Sequence, residues 1–305
     1  MTDLLIDTDP GLDDALALLY AWGVPGARVV AVSTVAGNVS LHAATLNLHR
    51  LLALRRPIPA PRIAVGASGP LARPLVTAAR YHGEDGLGDL PDWPAVETRP
   101  GVDVTAARLI ADAPCQAREP VTLVALGPVT NLAHALEADA GALARYARVV
   151  VMGGAVDVPG NVTPGAEFNA HVDPEALARV LDAGARVDLV PLDATRQAVL
   201  SRAALEGALA RSPGPLAERV ARFTARGFRA DAARGTPGMV LHDPLAVGGA
   251  LDPTLVAWEP ARLGIGPEGE TRRTGGLPNC RVARRVDAGR FLAHFLEHLC
   301  PASSS

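Results

Sequence analysis

Four aspartates fall close together near the amino terminus, in the run Asp7-Thr8-Asp9-Pro10-Gly11-Leu12-Asp13-Asp14. Carboxylates that close repel one another strongly at low effective dielectric, so a buried, uncompensated cluster is costly. A bound cation is the simplest compensation, and carboxylate oxygen is what a hard cation takes. The plainer alternative is a polar loop in which Asp13 caps the following helix. One acid would serve for that. Three further groupings could join such a site. Gly160–Asn169 packs Asn161, Glu167 and Asn169 into one short stretch, a supply of donors and acceptors suited to vicinal hydroxyls, though a turn-rich surface loop has the same composition. His242-Asp243-Pro244 pairs an imidazole, a general acid near neutral pH, with a carboxylate that could equally cap a helix opening at Pro244. Tyr81-His82-Gly83-Glu84-Asp85-Gly86 is a polar glycine-rich loop in which His82 could face a ligand or water.

The elements that must position these residues are legible from periodicity. Short β-rich runs alternate with Ala/Leu-rich helical runs, the pattern of an α/β fold with a mostly parallel sheet flanked by helices. Strands are expected over Leu4 to Asp9, Val29 to Val35, Val121 to Leu126, Arg148 to Met152 and Val187 to Leu192. Helices are expected over Asp13 to Trp22, Leu41 to Leu54, Val102 to Ala113, Thr130 to Ala138 and Pro174 to Ala183. Asp9, Gly37-Asn38, Gly127-Pro128, Gly153-Gly154 and Asp193 then all follow strand carboxyl ends, where open α/β sheets bind ligands. The Pro/Gly-rich stretches Pro57 to Pro74 and Gly83 to Pro100 read as excursions beside the site, and Gly264 to Leu277 as a loop or a late strand pair.

Composition bounds the function. The chain has 305 residues, 49% hydrophobic and 20% charged, with a net charge of −3, which suits one catalytic domain over residues 1–300 followed by a loose tail at 301–305. Arginine is scattered, so neither nucleic acid nor an anionic membrane is an expected partner. Cys115, Cys280 and Cys300 are odd in number and far apart, the usage of a reducing cytoplasm. The amino terminus carries acids where a signal peptide carries bases, and its apolar run is too short for one. Two motifs mislead. His294-Phe295-Leu296-Glu297-His298 fits a zinc spacing but reads better as the surface face of a carboxy-terminal helix. Gly264-Ile265-Gly266-Pro267-Glu268-Gly269 fits a dinucleotide fingerprint, yet Pro267 and the residues after it do not open a helix.

The amino-terminal run resembles the signature of the nucleoside hydrolases, the inosine–uridine preferring N-ribohydrolase family. The resemblance continues in order through Ala36-Gly37-Asn38, His82 to Gly88, Gly127 to Leu132, Val151 to Gly154, Gly160 to Asn169 and His242-Asp243. It implies the nucleoside hydrolase fold and Ca2+-dependent cleavage of a ribonucleoside, a small-molecule substrate, to free base and ribose. It implies Asp9, Asp14, Asp243 and the Leu126 carbonyl as Ca2+ ligands, and Asp7 as a support of the metal loop. Asp13, Asn38, Asn161, Glu167 and Asn169 become ribose contacts, and Asp9 the general base. His242 and His82 fall near the leaving base, with His242 as the expected leaving-group acid. It further implies a homodimer or homotetramer.

Relatives favouring inosine and uridine often carry tyrosines before the His-Asp pair. Phe223 to Val240 has none, only phenylalanines and arginines, which leaves base preference open. Two alternatives stand beside this reading. One is a catalytically impaired ribose- or nucleoside-binding protein on the same scaffold. The other is a haloacid-dehalogenase-like phosphohydrolase, whose D-x-D motif Asp7-Thr8-Asp9 mimics, although Pro10-Gly11 and the immediate Asp13-Asp14 argue against it.

Overall fold

The computed structural model describes residues 2–96 and 104–300. Its strands in chain order are β1 (Thr2–Thr8), β2 (Ala27–Thr34), β3 (Arg62–Val65), β4 (Val121–Ala125), β5 (Arg148–Met152), β6 (Val187–Val190), β7 (Val199–Leu200), β8 (Met239–Val240), β9 (Val256–Ala261), β10 (Leu263–Ile265), β11 (Thr271–Arg273) and β12 (Cys280–Val286). Eight form one sheet in the order β3-β2-β1-β4-β5-β6-β12-β9. All its neighbours pair in parallel except β9, which lies antiparallel beside β12 at the edge. The parallel α/β fold expected from the sequence is the one observed.

Both faces of the sheet are covered, so its central strands read as continuous apolar runs. Leu4 and Ile6 of β1 point to one face and Leu5 to the other, as a period of two requires. The first face packs the helices Leu12–Ala21, His242–Leu251 and Ala288–Leu299, and the second packs Ala106–Gln116, Thr130–Ala138 and Pro174–Leu181. The chain runs outward from β1 through β2 to β3, then returns to place β4, β5 and β6 on β1's other side. That reversal opens a crevice beyond the carboxyl ends of β1 and β4, the usual ligand position in such sheets.

Three sequence expectations need correction, and a fourth is decided between its two readings. The helix expected from Val102 begins at Ala106, because the Thr105 side chain accepts the Arg108 N–H as its cap; Val102 itself lies outside the described residues, as do residues 97–100 and the tail at 301–305. The excursion Pro57 to Pro74 contains a sheet strand, β3. Gly264 to Leu277 holds the hairpin β10–β11, the late strand pair that the sequence offered as one of two readings. The His294/His298 face is half-buried rather than open: His294 Nδ1 pairs with the Tyr20 hydroxyl at 2.6 Å, and His298 Nδ1 donates to the His294 carbonyl at 2.8 Å. No helix among the described residues is long and apolar enough to cross a membrane.

Candidate active site

A cavity of about 300 Å³ opens at the crevice, within the size range of small-molecule sites. Its wall includes Asp13, Asn38, His82, Leu126, Asn161, Glu167, Asn169, His242 and Asp243, so residues from both ends of the chain meet there. Asp9 and Asp14 are fully buried beside them. Every candidate residue read from the sequence thus reaches one neighbourhood.

The turn after β1 is built by its own acids. Asp14, not Asp13, caps the helix Leu12–Ala21: its Oδ2 accepts the Gly11 N–H at 3.0 Å. Its Oδ1 accepts the Thr8 hydroxyl at 2.6 Å and the Asp9 N–H at 3.3 Å. The Asp13 carboxylate joins those of Asp14 and Asp243, with one oxygen from each within 4.8 Å of the others. Asp9 Oδ2 accepts the Asn38 N–H at 2.6 Å, whereas Oδ1 is buried without a hydrogen-bond partner. Glycine is required on both flanks of Asp9, since a Cβ at Gly37 would sit 2.1 Å from Oδ2 and one at Gly127 would sit 2.4 Å from Oδ1. Asp7 braces the strand ends from below: its Oδ1 accepts Ser33 Oγ at 2.5 Å and Asn131 Nδ2 at 2.8 Å.

Burial pushes the carboxyls of Asp9, Asp13 and Asp243 well above the usual carboxylate range. Repulsion from neighbouring aspartates adds to it, chiefly from Asp14 at Asp9 and Asp13, and from Asp13 at Asp243. Without a counter-ion the folded chain therefore holds protons that the unfolded chain has released above about pH 4. Bound protons that exceed those of the unfolded state make stability fall as pH rises. Chelated protein is expected to melt at lower temperature at about pH 8.5 than at about pH 7, a window above the ordinary histidine range in which buried neutral His82 and His242 add no opposing slope, with the gap closing when a divalent cation is added. A melting temperature that rises with pH in the chelated protein would contradict an uncompensated cluster.

The ribose-side candidates are tied to the backbone. Glu167 caps the short helix Phe168–Val172, its oxygens accepting the Gly154, Asn169 and Ala170 N–H groups at 2.9 to 3.1 Å. Asn169 Nδ2 donates to the Leu126 carbonyl at 2.7 Å, leaving its own Oδ1 and one lone pair of that carbonyl for a ligand. Asn38 Nδ2 donates to Asp14 Oδ2 at 2.9 Å. Asn161 sits on the loop after Gly160, whose carbonyl accepts from Arg196 Nη2 at 3.0 Å.

The histidines differ from the expectation. His82 ends the short helix Ala79–His82, and its Nδ1 accepts the Leu12 N–H at 2.9 Å, so the neutral ring carries its proton on Nε2. Burial lowers its pKa to about 4 against the pull of Asp14, and Arg226 and Arg234 add to the lowering. His242 pairs through Nδ1 with Thr195 Oγ1 at 2.8 Å, and burial, then Arg196, His82 and Arg234, push its pKa down to about 3. Burial thus favours the neutral form of both rings near pH 7, against the protonated acid expected at His242 from its unperturbed pKa.

Sequence reasoning missed Thr195 and Asp231, and it neither joined Tyr81 to Phe223–Val240 nor picked out Arg234 among the arginines there. The Tyr81 hydroxyl donates to Asp231 Oδ2 at 3.1 Å, and the Arg234 guanidinium lies 5.2 Å from the centre of the Tyr81 ring. No spacing marks an arginine among several others in Phe223 to Val240.

A carboxylate-lined pocket thus lies at the switch point of a parallel α/β sheet, where such sheets bind small-molecule ligands. A model of the family described as inosine-uridine preferring nucleoside hydrolase matches residues 4–293. A pyrimidine-specific ribonucleoside hydrolase of Shewanella sp. (strain MR-4) is 39% identical over 271 residues, 88% of this chain and 83% of that protein. A plant nucleoside hydrolase superposes with a TM-score of 0.90 at 30% identity, covering 98% of this chain and 99% of the other. A purine-preferring ribonucleoside hydrolase from Gardnerella vaginalis gives 0.90 at 29%, covering 98% of each. The chain belongs to the nucleoside hydrolase family and is a nucleoside N-ribohydrolase. The phosphohydrolase alternative is thereby overturned.

Proposed function

We propose that this enzyme hydrolyses the N-glycosidic bond of ribonucleosides with a bound Ca2+, releasing free base and ribose. The observation that carries the metal is the convergence of buried carboxylates around Asp13, Asp14 and Asp243, with the unpartnered Oδ1 of Asp9 nearby. An all-oxygen set rich in charge fits Ca2+ better than a metal that prefers nitrogen or sulfur. Asp9, Asp14, Asp243 and the Leu126 carbonyl would hold the ion. Once bound, Ca2+ supplies orientation of the ribose hydroxyls and of the attacking water, and offsets the repulsion among the acids.

The chain's own residues then do the following. Asp9 accepts the proton of the attacking water. Asp13, Asn38, Asn161, Glu167 and Asn169 grip the ribose hydroxyls, and the carboxylates among them face the positive charge that grows on the sugar in an oxocarbenium-like transition state. His82 offers its Nε2–H, and His242 its ring nitrogen not paired with Thr195, to the departing base as neutral partners.

A panel of uridine, cytidine, inosine and adenosine, scored for free ribose, tests the activity. Ribose should appear with at least one of them, and the relative named pyrimidine-specific points to uridine or cytidine as the better substrates. Tight binding of nucleosides without any ribose would overturn turnover in favour of a binding protein.

A further inference from the structure

We propose that Arg234 stabilises the nucleobase as it leaves, receiving the negative charge that collects on a carbonyl oxygen conjugated to the glycosidic nitrogen. This deepens the ribohydrolase reading and rests on it.

Arg234 lines the cavity with Tyr81, His82 and His242. Its place is set by a built support. Tyr81 is fixed at its hydroxyl by Asp231, whose Oδ2 also accepts the Val240 N–H at 2.9 Å, and at its carbonyl by Arg226 Nε at 3.0 Å. The guanidinium lies over that anchored ring, a favourable cation–π contact. Its ion pair to Asp231 Oδ1 is long at 4.0 Å, and the side chain is 59% exposed. Its five N–H donors are therefore free for a ligand, and the charge is permanent. The two histidines are more committed, each with Nδ1 already paired. Arg234 is the one permanently charged residue among these three.

The step balances without a protonated acid. The water oxygen bonds to C1′ as the C1′–N bond breaks, and that electron pair stays on the base, spread onto the conjugated carbonyl oxygen facing Arg234. The water proton passes to Asp9, and the base takes a proton from solvent after release. The mechanism favours uracil-type bases, whose glycosidic nitrogen is conjugated to carbonyls, over adenine, which has none.

The test compares wild type, Arg234→Ala and Arg234→Lys on uridine, 5-fluorouridine and p-nitrophenyl riboside. Loss of a preorganised donor to developing negative charge costs about 10²-fold or more in turnover. Arg234→Ala should lose about 10²-fold in kcat/KM on uridine, less on 5-fluorouridine, whose base leaves more readily, and almost nothing on p-nitrophenyl riboside. Arg234→Lys should recover part of the uridine loss, since it keeps the charge without the planar fork. Equal losses on all three substrates, or none on uridine, would overturn the proposal. Wild-type protein that releases ribose from none of the three would instead remove the ribohydrolase reading on which it stands.

Discussion

Replacing Asp9 with Asn is expected to lower kcat at least ~10²-fold, the low end for removal of a general base, while nucleoside still binds. The amide keeps the shape of the carboxylate and one acceptor oxygen but cannot take a proton from water. Asp9 has room for little else, because the backbones at Gly37 and Gly127 close on both of its oxygens. Its unpartnered Oδ1 is the oxygen available to work, since Oδ2 is held by the Asn38 N–H. Turnover of Asp9→Asn and its metal content are to be measured on the same sample. A near-normal kcat in a metal-loaded Asn variant would refute the assignment, whereas loss of activity together with loss of metal would place Asp9 among the ligands alone.

Removing the cation is expected to abolish ribose release altogether. Asp13, Asp14 and Asp243 crowd within one small volume, and without a counter-ion burial and mutual repulsion push the carboxyls of Asp13 and Asp243 toward the protonated form. Protonated carboxyls neither offset positive charge on the sugar nor order the ribose hydroxyls as carboxylates do. Because an ion that binds only the folded chain stabilises it in proportion to its affinity and concentration, added Ca2+ should raise the melting temperature of the stripped enzyme as it restores turnover.

The amino-terminal half of the site was legible because its signals are local. A strand buried on both faces reads as Leu4-Leu5-Ile6, and acids directly after it can only sit at its carboxyl end. The carboxy-terminal strands were hidden by charge. β12 carries Arg281, whose guanidinium meets buried Asp188 of β6 at 2.7 Å, a partner far away in sequence, and edge strand β9 contains Glu259 and Pro260. Asp13 and Asp14 are adjacent, so sequence alone offered Asp13 as the alternative helix cap, and only the turn at Gly11 shows that Asp14 takes that place. The state of His242 was equally out of reach. Sequence shows an imidazole beside a carboxylate, whereas burial first, and then the nearby guanidinium charges of Arg196 and Arg234, hold its pKa low.

The central claim is a catalytic Ca2+ among these carboxylates, and the most direct measurement follows ribose release and bound Ca2+ per chain together while stripped enzyme is titrated with the ion. No release is expected at zero occupancy, then a rise in proportion to binding, complete at one ion per chain. Full ribose release from protein shown to contain no metal would contradict it.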